Sequence, residues 1–205
     1  MFKSLWLGSL LLLVTSSPST AQPTQPKPPE PTGNIWSHGT TLSGLAGVAT
    51  ASSQTGALLG GDFGWEITPD VGLKGTGTWF DRGLGAGGFA AALTVEKSFG
   101  SPHPAAPFVT GGVGLYRAWF NTSQATDIPP FYASRMTGPP GQTSYSFTDP
   151  TFVFGGGFNV FLSPHIEIRP DIEGVLVFNS SGSYILATFI FRVAYHIESH
   201  PVTPR

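Results

Sequence analysis

The sequence predicts an all-β chain, an eight-stranded antiparallel up-and-down transmembrane β-barrel preceded by a signal peptide and a Pro-rich spacer. Three observations carry this. From about residue 40 the chain divides into eight segments, each roughly 10–14 residues long, the length of membrane strands with their rims. Apolar side chains recur in them at every second position, the period of a strand. Charged residues make up 11% of the 205-residue chain, against about 25% in a typical soluble domain, too few to dress a surface that faces water. The connections between segments also alternate in length.

The N-terminus reads as a leader. Lys3 gives a short positive region, residues 5–14 an apolar run, and Ser19, Thr20 and Ala21 a small-residue cleavage site, the pattern of a secretory signal peptide. So short a run does not span about 30 Å of hydrocarbon as a helix. Residues 22–33, QPTQPKPPEPTG, form a Pro-rich spacer without core-forming residues. The expected organisation is a signal peptide at 1–21, the spacer at 22–38, a barrel at 39–198 and a tail at 199–205.

The strands are expected at 40–51, 56–68, 71–80, 87–99, 107–120, 151–162, 165–178 and 184–197. The first and fifth, rich in Gly, Ala and Thr, alternate least clearly. The second sets Leu59, Phe63, Trp65 and Ile67 against Asp62 and Glu66. The third sets Val71, Leu73 and Trp79 against Lys74, Thr76 and Thr78. The fourth sets Phe89, Leu93 and Val95 against Thr94 and Glu96. The sixth gathers Phe152, Phe154, Phe158, Val160 and Leu162, with Asn159 facing away. The seventh sets Ile166, Ile168, Ile172, Leu176 and Phe178 against His165, Glu167, Arg169, Asp171 and Glu173. The eighth sets Ile185, Phe189, Phe191, Val193, Tyr195 and Ile197 against Thr188, Arg192 and His196.

Alternation fixes strands without saying which face is wet. The polar faces are poor in Lys and rich in Gly, Ser and Thr, which suits a narrow interior. The connections after the second, fourth and sixth strands are tight and Pro-marked (Pro69, Pro102 and Pro104, Pro164), whereas the other set contains the long loop 121–150. Short turns on one side and longer loops on the other are the habit of membrane barrels. Lipid supplies no hydrogen-bond partner, so an open strand edge is excluded and the first strand should pair with the eighth. Eight strands leave an interior that side chains fill.

Nine charged residues should project inward: Asp62, Glu66, Lys74, Glu96, Glu167, Arg169, Asp171, Glu173 and Arg192. Buried charges are costly unless paired, so a network is expected, with hairpin arithmetic placing Glu66 opposite Lys74 and Arg192 near Asp171. Its expected role is a polar filling, with an ion path the less favoured reading. Trp65, Trp79, Phe99, Trp119, Phe178 and Tyr195 lie near segment ends, where interfacial aromatics belong. In the loop 121–150, Phe131, Tyr132, Arg135, Met136, Tyr145 and Phe147 are set among prolines and could offer a surface for a ligand or partner, with a mobile loop that has no partner the favoured reading.

Other chemistry is weakly supported. The absence of cysteine excludes disulfides, a Cys zinc site and a thiol nucleophile. A formal charge of −2 gives no field for nucleic acid. Gly83-Leu84-Gly85-Ala86-Gly87-Gly88 matches a dinucleotide fingerprint without the helix and acidic residue that motif needs. His38, His103, His165, His196 and His200 show no metal-ligand spacing. His196, Glu198 and Ser199 suggest a hydrolase only faintly, because no nucleophile turn surrounds Ser199. No catalytic residue, metal site or cofactor is expected.

With its leader, its eight segments and the run GGGFNVFLSPHIEIRPDIEG at 155–174, the chain resembles the small outer-membrane β-barrel proteins of the OmpA/OmpX type over about residues 34–197. The run is similar to their penultimate hairpin. The chain departs from many of them in continuing past the last strand at 198–205, and a cell-wall-binding domain after that strand is not expected. The resemblance implies a bacterial outer-membrane location. It also implies a non-enzymatic structural or surface role, contact with membrane lipid and lipopolysaccharide, and handling by the outer-membrane assembly machinery. A protein or surface partner would be met through loop 121–150. The alternatives are a soluble lipocalin-like barrel binding a small hydrophobic ligand, a narrow porin-like pore, and a lipid-modifying barrel enzyme.

Overall fold

The computed structural model describes residues 39–51, 54–68, 70–99, 105–163, 165–180 and 182–197. The expected signal peptide (1–21), spacer (22–38) and tail (199–205), with residue 198, lie outside the described residues. The strands are β1 (Thr40–Ala51), β2 (Gln54–Thr68), β3 (Val71–Asp81), β4 (Ala86–Ser98), β5 (Ala105–Asn121), β6 (Ser144–Phe161), β7 (Ile166–Asn179) and β8 (Gly182–His196), with one short helix, α1 (Pro130–Ala133), between β5 and β6. Each strand pairs antiparallel with its sequence neighbour. β1 closes the barrel on β8, from Thr41 opposite His196 to Thr50 opposite Ala187. The paired edge leaves no row of open backbone groups, as a lipid-facing sheet requires.

The period-two pattern sorts the side chains by face. Ile172 is 63% exposed and Phe189 52%, whereas Asp62 and Arg192 are 4% and 3% exposed. Leu42, Phe63, Leu93, Val113, Phe158 and Phe191 also point out. A water-soluble barrel that carries an apolar ligand needs the opposite arrangement, so the outward face opposes the lipocalin-like alternative.

Two expectations of register and length need correction. In the β2–β3 hairpin Lys74 stands opposite Gly64, and Glu66 opposite Gly72, so the expected pairing of Glu66 with Lys74 does not occur. Thr68 pairs with Val71 and the register shifts between Glu66 and Thr68. Ile67 is an extra residue on the β2 side, a bulge that simple hairpin counting misses. The second correction concerns β6. It starts at Ser144, so residues 144–150, assigned to the long loop from sequence, extend the β5–β6 hairpin, with Asn121 opposite Ser144. The true connection is 122–143.

Pro170 lies inside β7, and the β6–β7 ladder passes from Gly157 opposite Asp171 to Val160 opposite Ile168 with no pair between. A proline has no N–H to give the ladder. On its other side β7 stays paired, Pro170 facing Phe191 of β8.

The connections 52–53, 82–85, 122–143 and 180–181 fall at one end of the barrel, the loop end; the other three join the strands at the turn end, where β1 starts and β8 finishes. The 83–88 glycine run forms the β3–β4 connection and the start of β4 rather than a nucleotide loop. Gly83 and Gly85 have φ of 84° and 70°, a left-handed turn that glycine adopts without strain.

Candidate functional site

The interior has two halves of different chemistry. Toward the turn end lie the charges. Arg192 on β8 donates from Nε to Asp171 Oδ2 at 2.7 Å, from Nη1 to Asp62 Oδ2 at 2.7 Å, and from Nη2 to Glu173. Asp62 accepts a second bond from the Ser43 hydroxyl at 2.6 Å. One planar guanidinium thereby ties β1, β2, β7 and β8 together, a task suited to its fixed fork of donors.

A second group lies beside it. Glu96 on β4 accepts from Lys74 on β3 and from Arg169 on β7. Asn159 on β6 reaches Ser98 Oγ at 3.1 Å and Glu96 Oε1 at 3.4 Å. The Phe108 ring lies 4.4 Å from the Arg169 guanidinium carbon and 5.6 Å from Lys74 Nζ, so an aromatic face supplements the carboxylate. Glu167 Oε1 is 3.6 Å from Arg169 Nε, and its Oε2 is 2.8 Å from His196 Nε2. His196 Nδ1 lies 3.9 Å from a half-buried Glu66. Asp62, Lys74, Glu96, Glu167, Arg169, Asp171 and Arg192 are buried; Glu66 and Glu173 are half-buried.

Sequence reasoning passed over His196. Its inward parity on β8 is legible in the sequence, but the sequence pattern relates it to metal spacing and to Ser199, which lies outside the described residues, and not to the interior carboxylates. His165 serves the turn end, with Nδ1 2.9 Å from the His196 carbonyl oxygen. Among the described residues no group of three or more His, Cys, Asp or Glu side chains is arranged to hold a metal ion.

Toward the loop end the interior is aromatic and aliphatic, a half that the charge pattern did not foretell. Leu58, Phe80, Tyr116, Phe120, Val177, Tyr184 and Leu186 are buried there. Arg82 donates to the Tyr184 hydroxyl, and Phe80 meets Tyr116 edge-on with centroids 5.6 Å apart.

The connection 122–143 turns its aromatic residues down into this mouth. Tyr132 on α1 is 1% exposed, with ring centroids 5.1 Å from Phe120, 5.6 Å from Phe147 and 5.7 Å from Tyr184. Burial pushes the Tyr132 phenol well above its ordinary pKa. Arg135 clasps Asp149 with two bonds of 2.8 and 2.9 Å and lies 4.6 Å from the Phe147 ring centre. The Asp149 hydrogen bonds hold the guanidinium more firmly protonated than usual. Gln54 Nε2 donates to the Asp127 carbonyl at 2.8 Å, which fastens the connection to the far rim. Of the residues expected to offer a surface for a ligand or partner, Phe131, Tyr132, Met136 and Phe147 pack into the barrel core, and Arg135 pairs with Asp149.

The six end-of-strand aromatics fall three and three. Trp65, Phe99 and Tyr195 stand at the turn end, and Trp79, Trp119 and Phe178 at the loop end. All but Trp119 are exposed. Trp119 lies across Gly87 of β4, where an added Cβ would sit 2.5 Å from the indole. Beside it is a hollow of about 450 Å³ lined by Gly85, Trp119, Asn121, Ser144, Tyr145 and Ser146.

A closed eight-stranded barrel with an apolar outside, a charged inside and aromatic residues at both rims has the architecture of the small outer-membrane β-barrels. No family model matches the chain, and no curated protein matches it in sequence. Among solved structures it is similar to Neisserial surface protein A, with 12% identity, a TM-score of 0.58 and coverage of 78% of this chain and 97% of that one. It is similar to Ail, the attachment invasion locus protein of Yersinia pestis, with 15% identity, a TM-score of 0.52 and coverage of 79% and 100%. The outer membrane protein OprG from Pseudomonas aeruginosa gives 11% identity, a TM-score of 0.50 and coverage of 79% and 97%. At these identities the likeness is one of fold.

Proposed function

We propose that the chain is an integral outer-membrane protein of a bacterium, exported by residues 1–21. Its barrel interior is filled rather than open, and its role is structural or one of surface interaction. The observation that carries this reading is the division of faces. Apolar side chains cover the outside between two sets of rim aromatics, while Asp62, Glu96, Glu167, Asp171, Lys74, Arg169 and Arg192 are buried inside. Lipid rewards that arrangement and water does not. Membrane lipid and lipopolysaccharide then surround the belt, and the outer-membrane assembly machinery inserts it.

A filled interior supports a barrel that passes no solute. The carboxylates and cations of the turn half are engaged with one another, and Tyr132 with its neighbours occupies the mouth. No enzymatic activity is assigned. The Ser43 hydroxyl is held by Asp62, and His196 faces Glu167, so these two do not form a nucleophile–base pair. A partner would meet the outer, polar side of residues 122–143 and the rim around it.

The test is insertion. The chain without residues 1–21, refolded into phosphatidylcholine vesicles, should float with the lipid. It should become resistant to trypsin and migrate faster unheated than boiled on gels. A monodisperse monomer in buffer without detergent would overturn the reading. Single-channel recording in planar bilayers addresses the filled interior, where steady conductance steps would refute it.

A further inference from the structure

Among the described residues the barrel interior buries the cations Lys74, Arg82, Arg169 and Arg192. Lys74 and Arg169 meet Glu96, and Arg192 meets Asp62, Asp171 and Glu173. Arg82 is different: among the described residues it makes no ion pair. It is 6% exposed and follows β3 directly, with its side chain turned across the mouth of the barrel. Nη2 donates to the Tyr184 hydroxyl on β8, and the guanidinium carbon lies 5.7 Å from the centre of the same ring. Nη1 is buried without a hydrogen-bond partner. The carboxylates of this end are committed elsewhere. Asp81 Oδ1 accepts from the Gly83 amide at 2.9 Å, Asp149 is clasped by Arg135, and Asp127 is exposed.

A guanidinium keeps its proton even when buried, and a buried charge without a counter-charge is costly. The polar groups around Arg82 are donors as well. The Tyr132 hydroxyl is buried and without a partner, on a ring 5.7 Å from that of Tyr184. The Tyr116 phenol lies within electrostatic reach of Arg82, and the Tyr132 phenol within reach of Tyr116. We propose that Arg82 and the Tyr132 hydroxyl hold a small monovalent anion of the halide kind beneath the 122–143 connection. Charge sets the valence. One unpaired cation is neutralised by one negative charge, and a divalent anion would leave a surplus among the buried Leu58, Phe80 and Phe120. Size follows from the cover: with Tyr132 1% exposed over the mouth, the place suits an ion and not an organic body. A water molecule would satisfy Nη1 and leave the charge standing. Arg82 belongs to the end of the β3 strand and Tyr132 to the connection, so the anion is held only while the connection is docked, and each strengthens the other.

The test reads docking of the connection through the anion. The chain without residues 1–21, folded in detergent micelles, is treated with trypsin in sodium chloride, sodium gluconate or sodium sulfate at equal ionic strength. Cleavage after Arg135 is followed by mass spectrometry, relative to a short peptide substrate in the same salt. Gluconate is monovalent but too bulky for the site, and sulfate is divalent. Chloride should slow cleavage by one plus the ratio of its concentration to Kd, about tenfold when that ratio is about ten. Gluconate and sulfate should not. Arg82→Gln should abolish the difference between chloride and gluconate, and Tyr132→Phe, which keeps the ring in its seat, should shrink it severalfold. Equal rates in chloride and gluconate would mean that no anion sits on Arg82. Slowing by sulfate as large as by chloride would reduce the effect to a general salt response, and a chloride effect that survives Arg82→Gln would belong to another place; each of these results overturns the proposal. The three salts are compared on the unaltered protein, so they decide even if a variant misfolds. The site lies inside the barrel and does not depend on what surrounds it, so insertion into vesicles is scored separately.

Discussion

Arg192 and Asp62 are 130 residues apart in the chain and 2.7 Å apart in the barrel. The contact exists only after β1 has paired with β8, so it reports closure. Arg192 also holds Asp171 and Glu173, and removing it leaves three acids facing one another. Arg192→Met should therefore destabilise the inserted barrel by about 3–5 kcal/mol, the cost of orphaning buried charge. Combining it with Asp62→Asn and Asp171→Asn should restore part of the loss. Urea titration of the vesicle-inserted protein, followed by tryptophan emission, measures both. An unchanged midpoint for Arg192→Met would mean that water reaches these carboxylates.

Tyr132 should act locally. Its ring anchors the 122–143 connection, but the eight strands do not depend on it for hydrogen bonds. Tyr132→Ala should release the connection and expose Arg135 to trypsin. If docking weakens by ~2 kcal/mol, cleavage after Arg135 should quicken about thirtyfold. The urea midpoint of the strands should scarcely move. Cleavage at the wild-type rate would show that Arg135–Asp149 and Gln54 hold the connection alone.

Glycine positions separate fit from flexibility. A Cβ at Gly88 would collide with the Tyr116 hydroxyl, whereas a Cβ at Gly75 meets nothing within 4 Å. Gly88→Ala should cost about 1–3 kcal/mol through displacement of the buried Tyr116 ring. Gly75→Ala should be neutral or stabilising by up to ~1 kcal/mol, because it restricts only the unfolded chain. Urea midpoints of the two variants, measured side by side, give the comparison.

How far the sequence reveals this molecule depends on whether a feature is local. The β7 and β8 faces are written in adjacent residues, from Glu167 to Glu173 and from Thr188 to His196, and period two suffices to read them. Hairpin register needs the turn geometry as well: the close Thr68–Val71 pairing and the extra residue Ile67 each move it by one, which together carry Lys74 from Glu66 to Gly64. The start of β6 was obscured by Pro150 and the polar run around it, although Tyr145, Phe147 and Asp149 already alternate. Lys74 and Arg169 meeting on Glu96 brings together three strands, and no pairwise count predicts it. Tyr132 seated among Phe120, Phe147 and Tyr184 is further still from sequence, because where a loop returns is set by the barrel it covers.

The apolar exterior makes a quantitative claim about depth. Phe189 sits at the middle of β8, exposed and flanked by Val48 of β1 and Ile172 of β7, both of which also face outward. Ser183 is exposed at the loop end of the same strand. In lipid, the cost of a cation follows its distance from the midplane. Phe189→Arg should therefore destabilise the inserted barrel by about 2–4 kcal/mol, and Ser183→Arg by about 0–1. In water both positions are solvated, and an arginine at either would be worth little. Urea midpoints in vesicles would then separate the two variants only if a bilayer surrounds the belt. Equal midpoints would mean that Phe189 faces solvent, and the inside-out reading of β8 would fall with it.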